Sequence, residues 1–159
     1  MGYSLTEPSD WMLRVAELAC FIQVHGRGRV CGRWEVRDIK EWLTFHSRHD
    51  QLFLVDDPQR TSLGAALMGY VEGLAIGWRC REQDLETHWF PGDPAGDCFY
   101  ISQIVARRPL ALLGLVALLE QRHRDWQELR LFARRRGKLV RLTAKTIMRL
   151  ARKGIYDGL

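Results

Sequence analysis

The spacing of apolar residues along the chain alternates between the helical and the strand period. Apolar residues recur every three or four positions over 9–23, behind Ser9 or Asp10 as a cap, and this predicts an amphipathic helix. A second helix is predicted over 36–49 on the same grounds. The first third of the chain is therefore expected to be helical.

Short apolar runs then follow. The segments 51–57 and 63–73, joined by a turn rich in Asp, Pro and Ser, predict a hairpin. Residues 75–97 predict a long loop, because Gly and Pro gather at its end. The stretch "CFYISQIVA" (98–106) carries apolar residues on both faces, so we expect a central strand.

The last third predicts a helix over 109–126 with Pro109 in its first turn, two short strands over 128–135 and 138–143, and a terminal helix that Thr143 caps and Gly154 closes. The order is α-α-β-β-β-α-β-β-α. The expected fold class is α/β in the α+β sense. It comprises one domain over 1–159, with two N-terminal helices and a mixed, mostly antiparallel sheet around a central strand-turn-helix unit.

Composition supports a single packed domain. Of 159 residues, 47% are hydrophobic and 27% are charged. The longest apolar run, "PLALLGLVALL", has about 11 residues where a membrane span needs roughly 20, so no span is expected. No secretory signal is visible, and four scattered cysteines indicate a reduced, cytoplasmic protein, with disulfides left open.

Charge is distributed unevenly. Residues 107–153 contain 14 Lys or Arg against 3 Asp or Glu, a balance of +11, while the whole chain carries +5 and the remainder therefore −6. "ARRRGK" and a stripe on the last helix concentrate this charge. It predicts an anionic partner, either nucleic acid, a phosphate-bearing donor or an acidic protein, unless the residues form only a solvated basic face.

Two stretches carry a resemblance to a known family. "LFLVDDPQRTSLGAALMGYVEG" and "CFYISQIVARRPLALLGLVALLEQR" resemble the hairpin and the central strand-turn-helix unit of the acyl-CoA N-acyltransferase (GNAT) fold. The resemblance implies acyl transfer from acyl-CoA or an acyl carrier protein to an amine, with the donor at the turn Val105–Leu110. The family's glycine loop for pyrophosphate is absent from "VARRPLALLG", and Pro109 removes one amide donor.

One branch of this fold also lacks the glycine loop. The RTX toxin-activating lysine acyltransferases take acyl groups from acyl carrier protein, and "HWFPGDPAGD" and "CFYISQIVAR" resemble, distantly, their approach to the central strand. Their catalytic Asp falls on Ser102, which departs from the pattern. Their catalytic His corresponds by position to His25.

The candidate catalytic residues are His25, Ser102 and Tyr100. His25 lies at a predicted helix end in a Gly-rich segment, where an imidazole can act as a general base. Ser102 can point into a cleft from the middle of a strand that the fold splays open, and Tyr100 can act as an acid. The competing interpretations are an exposed loop histidine for His25 and core packing for Tyr100.

The candidate donor-binding residues are Gln103, Val105, Arg107 and Arg108. Two arginines at the start of a helix place guanidinium groups beside the positive end of its dipole. Charge at a strand end, with no ligand, is the alternative for them. No metal site is predicted, because no third ligand accompanies the histidine pair at 46 and 49.

Two functions remain open from the sequence. The first is an N-acyltransferase that binds an acyl donor at the turn after the central strand. The second is a catalytically inactive basic module that holds nucleic acid or an acidic protein through its C-terminal third, since the family's glycines and acidic catalytic residue are missing. Salt dependence of DNA binding discriminates between them.

Overall fold

The computed structural model describes residues 8–26, 33–57, 71–135 and 137–153. They form a single-domain α+β protein whose element order is the predicted one. The elements are α1 (Pro8–His25), α2 (Val36–Arg48), β1 (Leu52–Asp56), β2 (Val71–Cys80), β3 (Cys98–Ala106), α3 (Ala111–Arg122), β4 (Arg130–Arg135), β5 (Lys138–Leu142) and α4 (Ala144–Lys153).

The sheet has the spatial order β1-β2-β3-β4-β5, so β3 is central as predicted. All neighbouring strands are antiparallel except β3 and β4, which are parallel and are joined through α3. Helices α1 and α2 contribute to one apolar cluster on the sheet, and α3 and α4 contribute to another. The sheet is therefore covered by helices on both faces, which explains why most residues of β2 and β3 are buried.

The end of the second strand differs from the prediction. Strand β2 continues to Cys80, so 75–80 belong to the sheet and the loop begins at Arg81. The residues of β2 are buried on both faces and include small ones, so the segment lacks the alternation that marks a half-exposed strand. The part of the predicted hairpin at 63–70 lies outside the described residues.

The third helix is shorter than predicted. It begins at Ala111 and ends at Arg122, so Pro109 precedes it and Trp126 belongs to a separate 3-10 turn, Trp126–Glu128. The N-cap of α4 is confirmed, because the backbone N–H of Thr146 donates to Thr143 Oγ1 at 3.0 Å. The predicted end at Gly154 falls outside the described residues.

The helices bury one face each against the sheet. In α2 the buried residues are Ile39, Trp42, Leu43 and His46, at the spacing of one helical stripe. Among the described residues, no helix has both the length and the apolar character needed to cross a membrane.

Candidate functional site

Strand β3 separates from β4 halfway along its length. The two strands pair from Cys98 to Ile101, while β3 continues beside β2 as far as Ala106. Strand β4 instead continues with β5, to which it pairs as far as Arg135. Residues 102–106 of β3 therefore lie beyond the last residue that pairs with β4, and we call the region between them and the end of β4 the strand opening.

A β-bulge lies where the strand opening begins. The register between β2 and β3 shifts between Ile76 and Gly77, which pair with Gln103 and Ile101, so Ser102 is the extra residue. A bulge bends its strand and increases the local twist. The bulge at Ser102 therefore accounts for the direction in which β3 leaves β4.

A second bulge places a carboxylate at the far end of the opening. Val55 pairs with Gly73 and Asp56 with Val71, so Glu72 is the extra residue on β2. Its carbonyl oxygen accepts the backbone N–H of Arg107 at 2.7 Å. Glu72 thus lies directly beside the turn that leads from β3 to α3.

The side chain of Glu72 faces the two predicted donor-binding arginines. Its carboxylate oxygens lie 3.8 Å from Arg107 Nη1 and 3.7 Å from Arg108 Nε. The Glu72 side chain is only 10% exposed, and its Oε1 atom is buried without a hydrogen-bond partner. Sequence reasoning missed Glu72, although an acidic residue inside the apolar segment "YVEGLAIGW" was a visible signal.

His25 belongs to the same group of residues. It ends α1, its ring lies 4.9 Å from that of Phe21, and its side chain is exposed. Partial burial and the positive charge of Arg107 lower the pKa of His25, while Glu72 opposes them. The structure therefore places Arg107 and Arg108 beside Glu72, with His25 near enough for the charges of Arg107 and Glu72 to affect its pKa, and we call these four residues the Glu72 cluster.

The backbone at the start of α3 is already hydrogen-bonded. The N–H groups of Ala111, Leu112 and Leu113 donate to the carbonyl groups three residues earlier, at 3.0–3.1 Å. Pro109 has no N–H to offer. The pyrophosphate of coenzyme A is normally bound by free backbone N–H groups, so this turn suits it poorly. An anion bound here would depend on arginine side chains.

Tyr100 and Val105 do not join the cluster. Tyr100 is buried in the paired half of β3, about 20 Å along the strand from Arg107. Burial and Glu86 raise its pKa, and a hydrogen bond with Arg134 opposes them. The side chain of Val105, which was assigned to donor binding, is fully buried in the core on the α1–α2 face.

Ser102 and Gln103 lie at the edge of the strand opening and are half-buried. Because directly opposed residues of antiparallel strands face the same side, Gln103 shares the α1–α2 face with Ile76. The structure therefore keeps both residues beside the strand opening, with Gln103 on the face of the sheet that α1 and α2 cover.

An apolar cavity of about 70 Å³ adjoins the opening on the other face of the sheet. It lies between the sheet, α3 and α4, and its lining includes Ile101, Ile104, Leu115 and Ile147. Ile101 is the last residue of β3 that pairs with β4, and Ile104 follows the bulge. The cavity therefore borders the strand opening on the face of the sheet that α3 and α4 cover.

Part of the basic charge of 107–153 is neutralised within the protein. Besides the Arg107 and Arg108 pairs, Arg122 pairs with Asp50, and two arginines of β4 pair with carboxylates of the 81–97 loop. The pairs in β4 are Arg130 with Glu82 and Asp97, and Arg134 with Glu86. Helix α4 keeps four basic residues and has no acidic residue of its own.

The histidine pair of α2 has a structural explanation. His46 is buried, its Nδ1 lies 2.6 Å from Gln51 Oε1, and its ring stacks on Trp78 at 5.2 Å. Burial, mainly, lowers the pKa of His46 to about 4. Within the described ranges, no group of three or more His, Cys, Asp or Glu side chains is placed to hold a metal ion.

Comparison with known proteins does not extend this description. No protein-family model, no curated protein and no solved structure matches the chain.

Proposed function

We propose that this protein transfers an acyl group from a thioester donor to a primary amine at the strand opening. The observation that carries the proposal is the separation of β3 from β4 directly beside the Glu72 cluster. A gap between two parallel strands leaves room for an extended chain to lie along β3, as a peptide does at a sheet edge. The GNAT resemblance of the sequence supports the same reading.

The reaction requires the amine to lose a proton before it attacks. The amine nitrogen forms a bond with the thioester carbonyl carbon, the carbon–sulfur bond breaks, and the thiol leaves with a proton. His25 is the proposed acceptor of the proton that the ammonium group releases, because its lowered pKa keeps the imidazole neutral near pH 7. Positioning of donor and acceptor supplies the rest of the catalysis.

The donor is proposed to bind through side chains. Arg107 and Arg108 would hold a phosphate group of an acyl carrier protein arm or of acyl-CoA, and the apolar cavity would take the acyl chain. Because the start of α3 suits a pyrophosphate poorly, the carrier protein is the preferred donor. The proposed setting is the cytoplasm, where thiols such as Cys80 and Cys98 stay reduced.

The second candidate is the inactive basic module. Its support is α4, which carries Lys145, Arg149, Arg152 and Lys153 and no acidic residue. The first three follow each other at four- and three-residue spacing, so they lie near one face and could track a phosphate backbone or an acidic protein.

The test compares ligands in one thermal-stability experiment with octanoyl-acyl carrier protein, octanoyl-CoA, the unloaded carrier and a DNA duplex. A ligand that binds only the folded state at 100 times its Kd should add about 2.7 kcal/mol of stability. Both octanoyl donors should stabilise the folded protein in this way. Replacing both Arg107 and Arg108 with Ala should abolish the stabilisation.

The control variant replaces Arg37 and Arg48, two exposed arginines of α2, with Ala and should keep the gain. Transfer of the octanoyl group to an amine is then followed by mass spectrometry, with His25→Asn against His88→Asn as the matched pair of exposed histidines. Stabilisation by DNA alone, with no octanoyl transfer, would replace the enzyme with the basic module.

A further inference from the structure

We propose that Glu72 is the binding residue for the ammonium group of a cationic amine acceptor, and that it becomes available when an anionic donor draws Arg107 and Arg108 away. This inference rests on the proposed acyl transfer and names its acceptor class and its order of binding.

The first support is the state of the carboxylate. Glu72 is buried at a bulge, and its Oε1 makes no hydrogen bond. A buried carboxylate without hydrogen bonds is costly, so such groups normally have strong partners. An ammonium group, which is a donor of three hydrogen bonds, would supply what this oxygen lacks.

The second support is that the contacts of Glu72 with its two arginine partners are long. Both guanidinium contacts, at 3.8 and 3.7 Å, exceed hydrogen-bond distance. The side chain of Arg108 is 64% exposed and that of Arg107 is 29% exposed, so both can turn toward solvent. A phosphate accepts charge-assisted, bidentate hydrogen bonds from arginine and would hold them better than this distant carboxylate does.

The third support is the position of His25. It ends α1 close enough for both Glu72 and Arg107 to affect its charge state. An ammonium group held by Glu72 would therefore lie within electrostatic range of His25, the group proposed to take its proton. Donor and acceptor sites also share Glu72, Arg107 and Arg108, so each ligand should strengthen the binding of the other.

The binding test uses n-butylamine, which is cationic at pH 7, titrated by NMR with and without saturating inorganic phosphate. In the wild-type protein, phosphate should tighten butylamine binding at least fivefold. Glu72→Gln should abolish butylamine binding and should bind phosphate more tightly than the wild type, because its arginines are no longer held. Asp38→Asn, at an exposed carboxylate, should behave as wild type.

The kinetic test separates a binding role from a structural one. With octanoyl-acyl carrier protein as a saturating donor, Glu72→Gln should raise the KM for butylamine at least tenfold and should change the KM for aniline, a neutral amine, far less. Equal losses for both amines would overturn the role of Glu72 while the acyltransferase proposal survives. If the wild type transfers to neither amine, the proposed function fails, and unchanged butylamine binding in Glu72→Gln would overturn the inference separately.

Discussion

The two halves of β3 have opposite surroundings although they belong to one strand. From Cys98 to Ile101 it is flanked by β2 and β4, and every residue is buried. From Ser102 it keeps only β2 as a paired strand, carries two half-buried polar residues, and ends at the arginine turn. One strand thus provides a rigid paired half and, directly after a bulge, a half that borders a gap.

The difference shows how a small fold can build a site on a stable element. The paired half is fixed by ladder pairing on both sides and by packing of Phe99 and Tyr100 on the two faces of the sheet. The open half is held in position by the paired half of the same strand, although it does not pair with β4 itself. A site that borders a regular strand is held more precisely than one built on loops alone.

The largest loss of stability should follow from removing a buried side chain of the paired half. Phe99 is 2% exposed, and its ring lies so close to Gly77 that a Cβ there would come within 2.7 Å of it. Phe99→Ala should lower the free energy of unfolding by about 3–5 kcal/mol, because it leaves a cavity in a packed core. Urea unfolding measures it.

The matched change in the open half is Ser102→Ala, which should cost about 0.5 kcal/mol or less because the residue packs little. Similar costs for the two variants would mean that the halves are equally structural and would remove the contrast.

Acid should destabilise the protein through His46 of α2, whose ring stacks on Trp78, the residue opposite Tyr100 of the paired half. The folded pKa of about 4 lies below the ordinary value of 6.5, so protons bind preferentially to the unfolded chain. The stability from neutral His46 is complete above pH 6.5 and is lost as the pH falls toward 4, by about 3 kcal/mol in total.

Denaturant unfolding at several pH values tests this effect. His46→Gln should remove this part of the pH dependence, whereas His49→Asn, on an exposed neighbour, should keep it. A His46→Gln protein with the wild-type slope between pH 6.5 and 4 would contradict the assignment.

A smaller loss of stability is expected at the N-cap of α4, one of the helices that line the apolar cavity. Thr143→Ala removes the side-chain cap of α4 and should cost about 1 kcal/mol of stability. Thr143→Ser keeps the capping oxygen and should cost less, as measured by thermal unfolding. Equal losses in the two variants would show that the cap does not hold α4.

The smallest effect should be a change in the titration of His25, followed by NMR. Arg107→Gln removes a cation and should raise the His25 pKa, and Glu72→Gln removes an anion and should lower it. Arg108→Gln should change it less, because the Arg108 side chain is 64% exposed and solvent screens its charge. Shifts in the same direction for the first two variants would contradict the cluster geometry.

The sequence was sufficient for the order of elements because hydrophobic period is a local property. The strand Cys98–Ala106 was predicted with its observed ends, and Thr143 with its capping role. The end of β2 was missed, because a strand buried on both faces shows no alternation. The roles assigned to His25 and the arginines stay predictions, although the charges of Arg107 and Glu72 do affect the pKa of His25.

The bulges and the strand opening could not be predicted from the residues alone. Each depends on the register between strands that are far apart in sequence, such as Ile101 with Ala133. Glu72 was visible in the sequence as an acidic residue in an apolar segment, but its position beside Arg107 depends on the register of the strands. Interactions that cross elements decide the site, whereas local periodicity decides the elements.

The outer position of β5 has a consequence for the behaviour of the protein in concentrated solution. An edge strand presents unpaired backbone groups that invite other chains to add to the sheet. Strand β5 carries Lys138 and Arg141, both exposed, and positive charge on an edge repels a second copy of the same edge. These two cations should therefore oppose aggregation through the edge of the sheet, and this effect requires no binding partner.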